Sequence, residues 1–342
     1  MYNLLGLCLA LTALLSLNLL ATLVGIALWR ALAPALARRS AAAQAQAQVL
    51  LYLRLLPFAC ALIFVCGFLV PAYLHYEPHA TAEVVSLKLA LFAACCFAGL
   101  ALAVARGLRS YVATRRLVAD WLRHAEPVSL AGVSVPVYRL QHRFPVIAVV
   151  GVMRPRLFIA THLFEELNAS ELRAAVLHEH GHLAAHDNLK RAALRACRDV
   201  LMLVPAGRTL DHAWGEQSEA AADEHAAHAG GAGLALDLAS ALVKIARLVP
   251  ANASPHLPAG AFLVGEQGDG IIAWRVRRLA RMATAATTNE LAPRRALNAA
   301  LNYALACALV AALLTSVMAS FSQPDFLAPL HGALERVVAA LE

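Results

Sequence analysis

Residues 175–187 read AVLHEHGHLAAHD, four histidines and a glutamate within thirteen positions of a strongly apolar chain. Just upstream, Asn168 and Ser170 offer capping side chains and Glu171 stands in a first turn, so the stretch reads as part of a helix. Leu172, Val176, Leu177 and Leu183 supply its buried side. On a helix turning about 100° per residue, His178 and His182 lie about 40° apart on one face and about 6 Å apart along the axis. Two imidazoles can converge on one ion from there. Glu179 flanks the same face, where a carboxylate reaches a metal-bound water without replacing it. This is the His-Glu-x-x-His arrangement of two metal ligands and a general base. His180 points about 160–200° away, and His186 lies about 12 Å along the axis from His178, so neither joins that ion.

By composition alone such a pattern arises about once in forty chains of this length. A third ligand is therefore required, because catalytic zinc takes three protein ligands and a water. The segment TLDHAWGEQSEAAADEHAAHA, residues 209–229, reads as a later helix and offers Glu216, Glu219, Asp223, Glu224, His225 and His228. Spacing does not choose among them. Glu219 and Asp223, four apart on one face, suit one ligand and one carboxylate that fixes a ligand histidine. The metzincin pattern would need Gly at 185 and His at 188, where this chain has Ala185 and Asn188.

The rest of the chain is membrane-like: of 342 residues, 60% are hydrophobic and only 15% charged. Residues 4–29, 50–74, 84–105 and 297–320 form apolar runs long enough to span a bilayer as helices. The first has no basic residue before it and runs past signal-peptide length, which predicts a retained helix. Arg54 and Lys88 stand near the starts of the second and third runs, and we expect both to snorkel toward an interface. Arg30, Arg38 and Arg39 follow the first run and Arg106, Arg109, Arg115 and Arg116 the third, whereas PAYLHYEPHATAE between the second and third has no Lys or Arg. Basic loops face the cytoplasm, which predicts an outside N-terminus, a cytoplasmic central region and an outside tail. The same bias accounts for the net charge of +7, so no nucleic-acid partner is expected. The seven cysteines form no CxxC pair, which excludes a thiolate zinc site.

These boundaries divide the chain into three spans (1–105), a central domain (106–296), a fourth span (297–320) and a short tail (321–342). Within the centre, RGLRSYVATRRLVADWLRHA predicts a helix leaving the membrane. VSVPVYRL, PVIAVVG and RLFIAT, punctuated by Pro136, Pro145, Gly151 and Pro155, predict a small sheet. Helices follow over about 168–187, 189–205, 209 to a stop at Gly230–Gly231, 234–249 and 271–283, with a loop over 250–270. The tail places Leu330, Leu334, Val337, Val338 and Leu341 at helical spacing, suited to the outer membrane surface or a partner.

GVMRPRLFIATHLFEELNASELRAAVLHEHGHLAAHDNLKR, residues 151–191, resembles the membrane metallopeptidases of the BlaR and MecR antirepressor type. The shared features are a Gly-x-x-x-Pro strand, Glu-Leu before the helix, His-Glu-x-x-His and Asp-Asn after it. EAAAD, Glu219 to Asp223, matches the Glu-x-x-x-Asp element of that family. The resemblance implies a mainly α membrane protein of four transmembrane helices, with an α+β gluzincin-like zinc peptidase domain inserted between the third and fourth. It implies Zn2+ held by His178, His182 and Glu219, Glu179 as catalytic base, and Asp223 as partner of a ligand histidine. Members of the family carry a penicillin-binding domain after the fourth span, whereas this sequence ends 22 residues after Ser320. Direct antibiotic sensing is therefore not expected.

The function expected is that of a membrane-bound zinc endopeptidase, regulatory in role, acting on a protein substrate such as a repressor within an inner-membrane setting. Its partners would be that substrate, the lipid bilayer and a separate sensor. The HtpX and CAAX-peptidase branch shares the ligand logic and is the alternative enzyme reading; a non-catalytic signalling protein is the alternative outside enzymes. A metal-dependent transporter fits poorly, because the ligand candidates lie outside the apolar runs. His225, His228, Arg275 and Arg278 are candidate oxyanion donors, and the RLFIAT strand is expected to offer an edge to an extended substrate.

Overall fold

Long runs rich in alanine and leucine, with few breaks, become long helices. The computed structural model of the chain describes residues 2–38, 42–78, 85–130, 132–202, 204, 207–249, 269–284, 291–322 and 324–341. Helix α1 covers Tyr2–Arg38. Helix α2 (Ala43–Phe64), a π-helical turn (Val65–Leu69) and α3 (Val70–Tyr76) make one continuous rod. The wide turn marks a close approach: a Cβ on Gly67 would fall 2.1 Å from Ser316 Oγ, and Ser320 Oγ donates to Gly67 O. Helix α4 (Leu87–His124) starts where Ser86 Oγ accepts from Leu89 N–H. The third apolar run and the expected exit helix are thus one 38-residue helix.

A four-stranded mixed sheet follows: β1 (Ala125–Val128), β2 (Val137–Leu140), β3 (Ile147–Val150) and β4 (Arg156–Ala160), in spatial order β1-β2-β4-β3. Strands β2 and β4 run parallel, and the other two pairs are antiparallel. Strand β1, AEPV, escapes a hydrophobicity reading because it is polar and carries Pro127, which only an edge strand tolerates. The expectation that RLFIAT offers a free edge is overturned: β4 lies between β2 and β3, and β3 is the edge. The cause is the buried character of β4, four of whose five residues are enclosed, as suits a central strand.

The helical half begins with α5 (Leu163–Glu166) and α6 (Ala169–Ala184). The expected N-terminus is present as a capping box. Glu171 N–H donates to Asn168 Oδ1 at 2.8 Å, and Asn168 N–H donates to Glu171 Oε2 at 2.9 Å. His186, at φ 56°, reverses the chain into α7 (Asp187–Val200). Helix α8 (Arg208–Leu248) is broken at Gly231 (φ 70°, ψ −160°), where the Gly pair predicts a stop. Helices α9 (Asp269–Thr284), α10 (Leu291–Ser322) and α11 (Ala328–Leu341) complete the order. Most of the expected 250–270 loop lies outside the described residues. The tail does not lie free: His331 stacks on Tyr76 of α3 with ring centroids 5.5 Å apart.

One core joins sheet and helices: Trp121, Phe158, Ile147 and Ile159 meet Ala174 and Ala175 of α6 and Leu238, Leu242 and Ile245 of α8. Among the described residues, four helical segments are long and apolar enough to cross a membrane: Tyr2–Leu36, Ala43–Tyr76, Leu87–His124 and Arg208–Leu248. This composition suggests a membrane protein. The last of the four differs in surroundings from the others. Its first half carries Asp211, Glu216, Glu219, Asp223 and Glu224, and its apolar second half is enclosed by the sheet-side core. Its hydropathy is that of an interior helix. In contrast, α10, which contains the 297–320 run, turns Val310, Leu314 and Met318 outward.

Arg54 corrects a second expectation. It does not snorkel: the side chain is 1% exposed and its Nε donates to Asp211 Oδ1 of α8 at 3.0 Å. The paired carboxylate and the tight fit against Gly207 hold the guanidinium inside. Arg54→Met leaves Asp211 unpaired and should cost about 3–5 kcal/mol, with Arg54→Met/Asp211→Leu recovering most of it, read by thermal unfolding in detergent. A second prediction concerns Glu171. Burial pushes its carboxyl up, but hydrogen bonds from Lys244, Ser240 and Asn168 N–H outweigh that and hold it below the usual range. A lowered carboxyl contributes stability that is full above about pH 5 and is lost as pH falls below about 4. Glu171→Gln should therefore lower the melting temperature at pH 7 and flatten its fall on acidification.

Candidate metal centre

The capping box fixes where α6 starts, and so which side chains α6 turns inward. His178 and Glu179 are buried and His182 is nearly so. The two imidazoles meet edge to face with ring centroids 4.8 Å apart. Opposite them, α8 brings Glu219. Among the described residues, His178, His182 and Glu219 form the one group of three able to hold a metal ion, with ligand atoms within 4.8 Å of one another. Each Nε2 faces the glutamate: His178 Nε2 lies 3.5 Å from Oε2, and His182 Nε2 lies 3.5 Å from Oε1.

The other nitrogen of each ring is held by a carboxylate. His178 Nδ1 is 2.9 Å from Asp223 Oδ1, the partner expected from Glu-x-x-x-Asp spacing. His182 Nδ1 is 2.7 Å from Asp187 Oδ2, and Ser218 Oγ donates to that same oxygen at 2.6 Å. Asp187 was visible in the Asp-Asn pair but had no assigned role. The turn at His186 folds it back onto His182, a reversal that helical spacing does not anticipate. With Nδ1 engaged, each ring presents Nε2 as the lone-pair donor, the arrangement found around protein-bound metals.

Charge supports the same use. Glu219 Oε2 is buried without a hydrogen-bond partner, although Arg275 Nη1 stands 3.2 Å away out of alignment. Burial opposes charge on Glu219, yet His182, His178 and Arg275 hold its carboxyl well below the usual range. Burial would lower His182, but Glu219 and Asp187 push it up to about 10. Two guanidinium groups also pair with Glu219, Arg191 at 3.0 Å from Oε1 and Arg275 at 3.2 Å from Oε2, so an ion between the rings and Glu219 would share that carboxylate with them. A buried carboxylate oxygen with spare lone pairs, facing two imidazole Nε2 atoms, fits a divalent ion that accepts nitrogen and oxygen ligands.

Glu179 occupies the position a general base needs, beside the triad and outside it. Its Oε2 accepts from Val149 N–H of β3 at 3.0 Å, and burial raises its carboxyl above the usual range. Asn188 Nδ2 donates to Val149 O and Gly151 O, so the outer edge of β3 is tied to the helices on both sides of His186. Hydrophobic pattern alone carries no signal for these ties.

The remaining candidates go elsewhere. His180 Nδ1 lies 3.1 Å from His225 Nε2 of α8, so it packs between the two helices and does not join the triad. His186 caps α7, Glu216 is exposed, and His228 Nδ1 turns to its own helix at Glu224 O. Glu224 accepts from Ala43 N–H at 3.2 Å and pairs with Arg278. Arg275, expected as an oxyanion donor or a solvated charge, is buried and clamps Asp223 through Nε at 3.0 Å and Nη2 at 2.6 Å. It braces the carboxylate that orients His178, and sequence spacing could not place it there from 52 residues away. No protein-family model, curated protein or solved structure matches the chain.

With His182 protonated up to about pH 10, a metal has to displace that proton. Apparent affinity should rise about tenfold per pH unit between pH 6 and 8, measured by competition with a chelator. Asp187→Asn and Asp223→Asn should each weaken binding about 10–100-fold.

Proposed function

We propose that the chain is a membrane-bound zinc endopeptidase, regulatory in role and akin to the BlaR and MecR antirepressor peptidases. The observation that carries the reading is the pair of carboxylate-held histidines whose Nε2 atoms face the two oxygens of Glu219, with Glu179 alongside. In this reading α1, the α2–α3 rod, α4 and α10 are the spans, and residues 106–296 form a gluzincin-like domain on the cytoplasmic side. The basic residues that follow the apolar runs of α1 and α4 support that orientation. Residues 321–342 then lie outside, in a cell inner membrane.

His178, His182 and Glu219 would hold the ion. When bound, zinc supplies Lewis acidity and makes water a nucleophile near neutral pH. This chain's own residues do the rest. Glu179, raised by burial and steadied by Val149 N–H, takes the proton of the attacking water at its carboxylate and passes it to the leaving amine. Asp223 and Asp187 keep the rings from rotating, and Arg275 balances the charge of Asp223 and Glu219. The sheet edge beside α6 is β3, whose Val149 N–H and O are engaged by Glu179 and Asn188, so strand addition forms no part of this reading.

Glu179→Gln keeps the two rings and Glu219 in place, so it should retain metal and lose cleavage by about 10²–10⁴-fold. Comparing protein N-termini between cells carrying the parent and Glu179→Gln forms should reveal one or a few missing cleavage products. Scattered losses across many membrane proteins would favour a quality-control peptidase of the HtpX kind. Identical N-termini would refute cleavage altogether.

A further inference from the structure

The end of α7 and the start of α8 lie away from the metal centre, against the apolar parts of two long helices. The α7 end presses its backbone on α4, for a Cβ at Gly99 would fall 2.4 Å from Val200 O. Gly99 lies inside the uncharged run between Lys88 and Arg106. Arg106, at the end of that run, reaches Asp199 at 2.7 Å. The α8 start seats on α2. Gly207 abuts the buried Arg54 guanidinium, Arg54 pairs with Asp211, and Leu194, Leu210 and Trp214 close on Leu50 and Leu51. The two helix ends are therefore wedged between α2 and α4.

Both neighbours report the same depth. Gly99 is seven residues inside Arg106 and Arg54 is six inside Gln48, the last of a series of alternating glutamines. At 1.5 Å per residue these are about 10 Å and about 9 Å, roughly a third of a bilayer's hydrocarbon thickness of about 30 Å. At this end Met202 and Val204 are 45% and 39% exposed, and VLMLVPAG, residues 200–207, contains no charge. The exposed side of α4 is apolar too, with Phe97 at 64% and Leu91 at 57%.

We infer that the end of α7 and the start of α8 enter the hydrocarbon of the bilayer between α2 and α4, where Met202 and Val204 meet lipid acyl chains. The Arg54–Asp211 pair satisfies two of the charges there, and the exposed Arg198 and Arg208 would have to snorkel toward the polar boundary. From Asp211, α8 rises eight residues, about 12 Å, to Glu219, and continues to Glu224 at the start of α2. The hairpin thus holds the candidate metal centre at the polar boundary of the membrane. This inference stands whether or not the centre is catalytic.

The test places tryptophan at Met202 or at Val204 in the full chain, reconstituted in phosphatidylcholine vesicles, with the parent spectrum subtracted. Leu189→Trp, about 17 Å along α7 from Val200, is the comparison. Lipids brominated on their acyl chains should remove most of the added emission of Met202→Trp and Val204→Trp, and iodide on both faces should not. Leu189→Trp should show the reverse. Quenching of the tip tryptophans by iodide, or by neither agent, would overturn the inference, as would equal lipid quenching at Leu189. Each tip position decides the matter alone, so one misfolded variant leaves the other, with circular dichroism and metal content as the folding controls.

Discussion

Two histidines on one helix can hold an ion only if each ring is stopped from rotating about its χ angles. Here the stops are carboxylates. Asp223 from α8 holds His178, and Asp187 from the turn after α6 holds His182. Neither carboxylate could stand so deeply buried alone. Arg275 grips the first bidentately, and Ser218 and Lys190 attend the second. The rest of the domain follows from delivering these groups to one place. The capping box fixes the rotation of α6, the αL turn at His186 returns Asp187, and Gly181 lets α8 approach closely enough for Ala222 to touch it.

Helix α8 is what makes the centre a membrane property. One straight segment, before the break at Gly231, carries Asp211, Glu219, Asp223 and Glu224 in sequence. Asp211 and Glu224 bind Arg54 and the Ala43 N–H of α2, and the two residues between them serve the histidines. A shift of α2 along α8 would break a buried ion pair or uncover a helix N-terminus. The register of the helix that carries Glu219 is therefore locked to a long apolar helix by charge, in surroundings where charge is costly to misplace.

Local periodicity made much of this legible beforehand. The N-cap at Asn168, the shared face of His178 and His182, the absence of His180 from that face and the stop at Gly230–Gly231 are local properties of single helices, and a helix's own sequence contains them. The choice of Glu219 and Asp223 among six candidates on that helix comes from the resemblance, and the structure brings both side chains to the histidines. What was not legible depends on contacts between segments distant in the chain. Arg54 looked like an interfacial charge because its partner lies 157 residues away. The central position of β4 required knowing that β1, polar and carrying a proline, pairs beyond β2. Arg275 gave no hint that it braces Asp223, since amphipathic spacing in α9 fits a solvated arginine equally well.

The central claim is that two imidazoles and one carboxylate of this chain hold a single metal ion. X-ray absorption spectroscopy at the zinc edge of the purified full chain tests it most directly. We predict one zinc per chain, bound by two imidazole nitrogens and by oxygens, with no sulfur. Substoichiometric zinc, or a shell containing cysteine sulfur, would contradict the account.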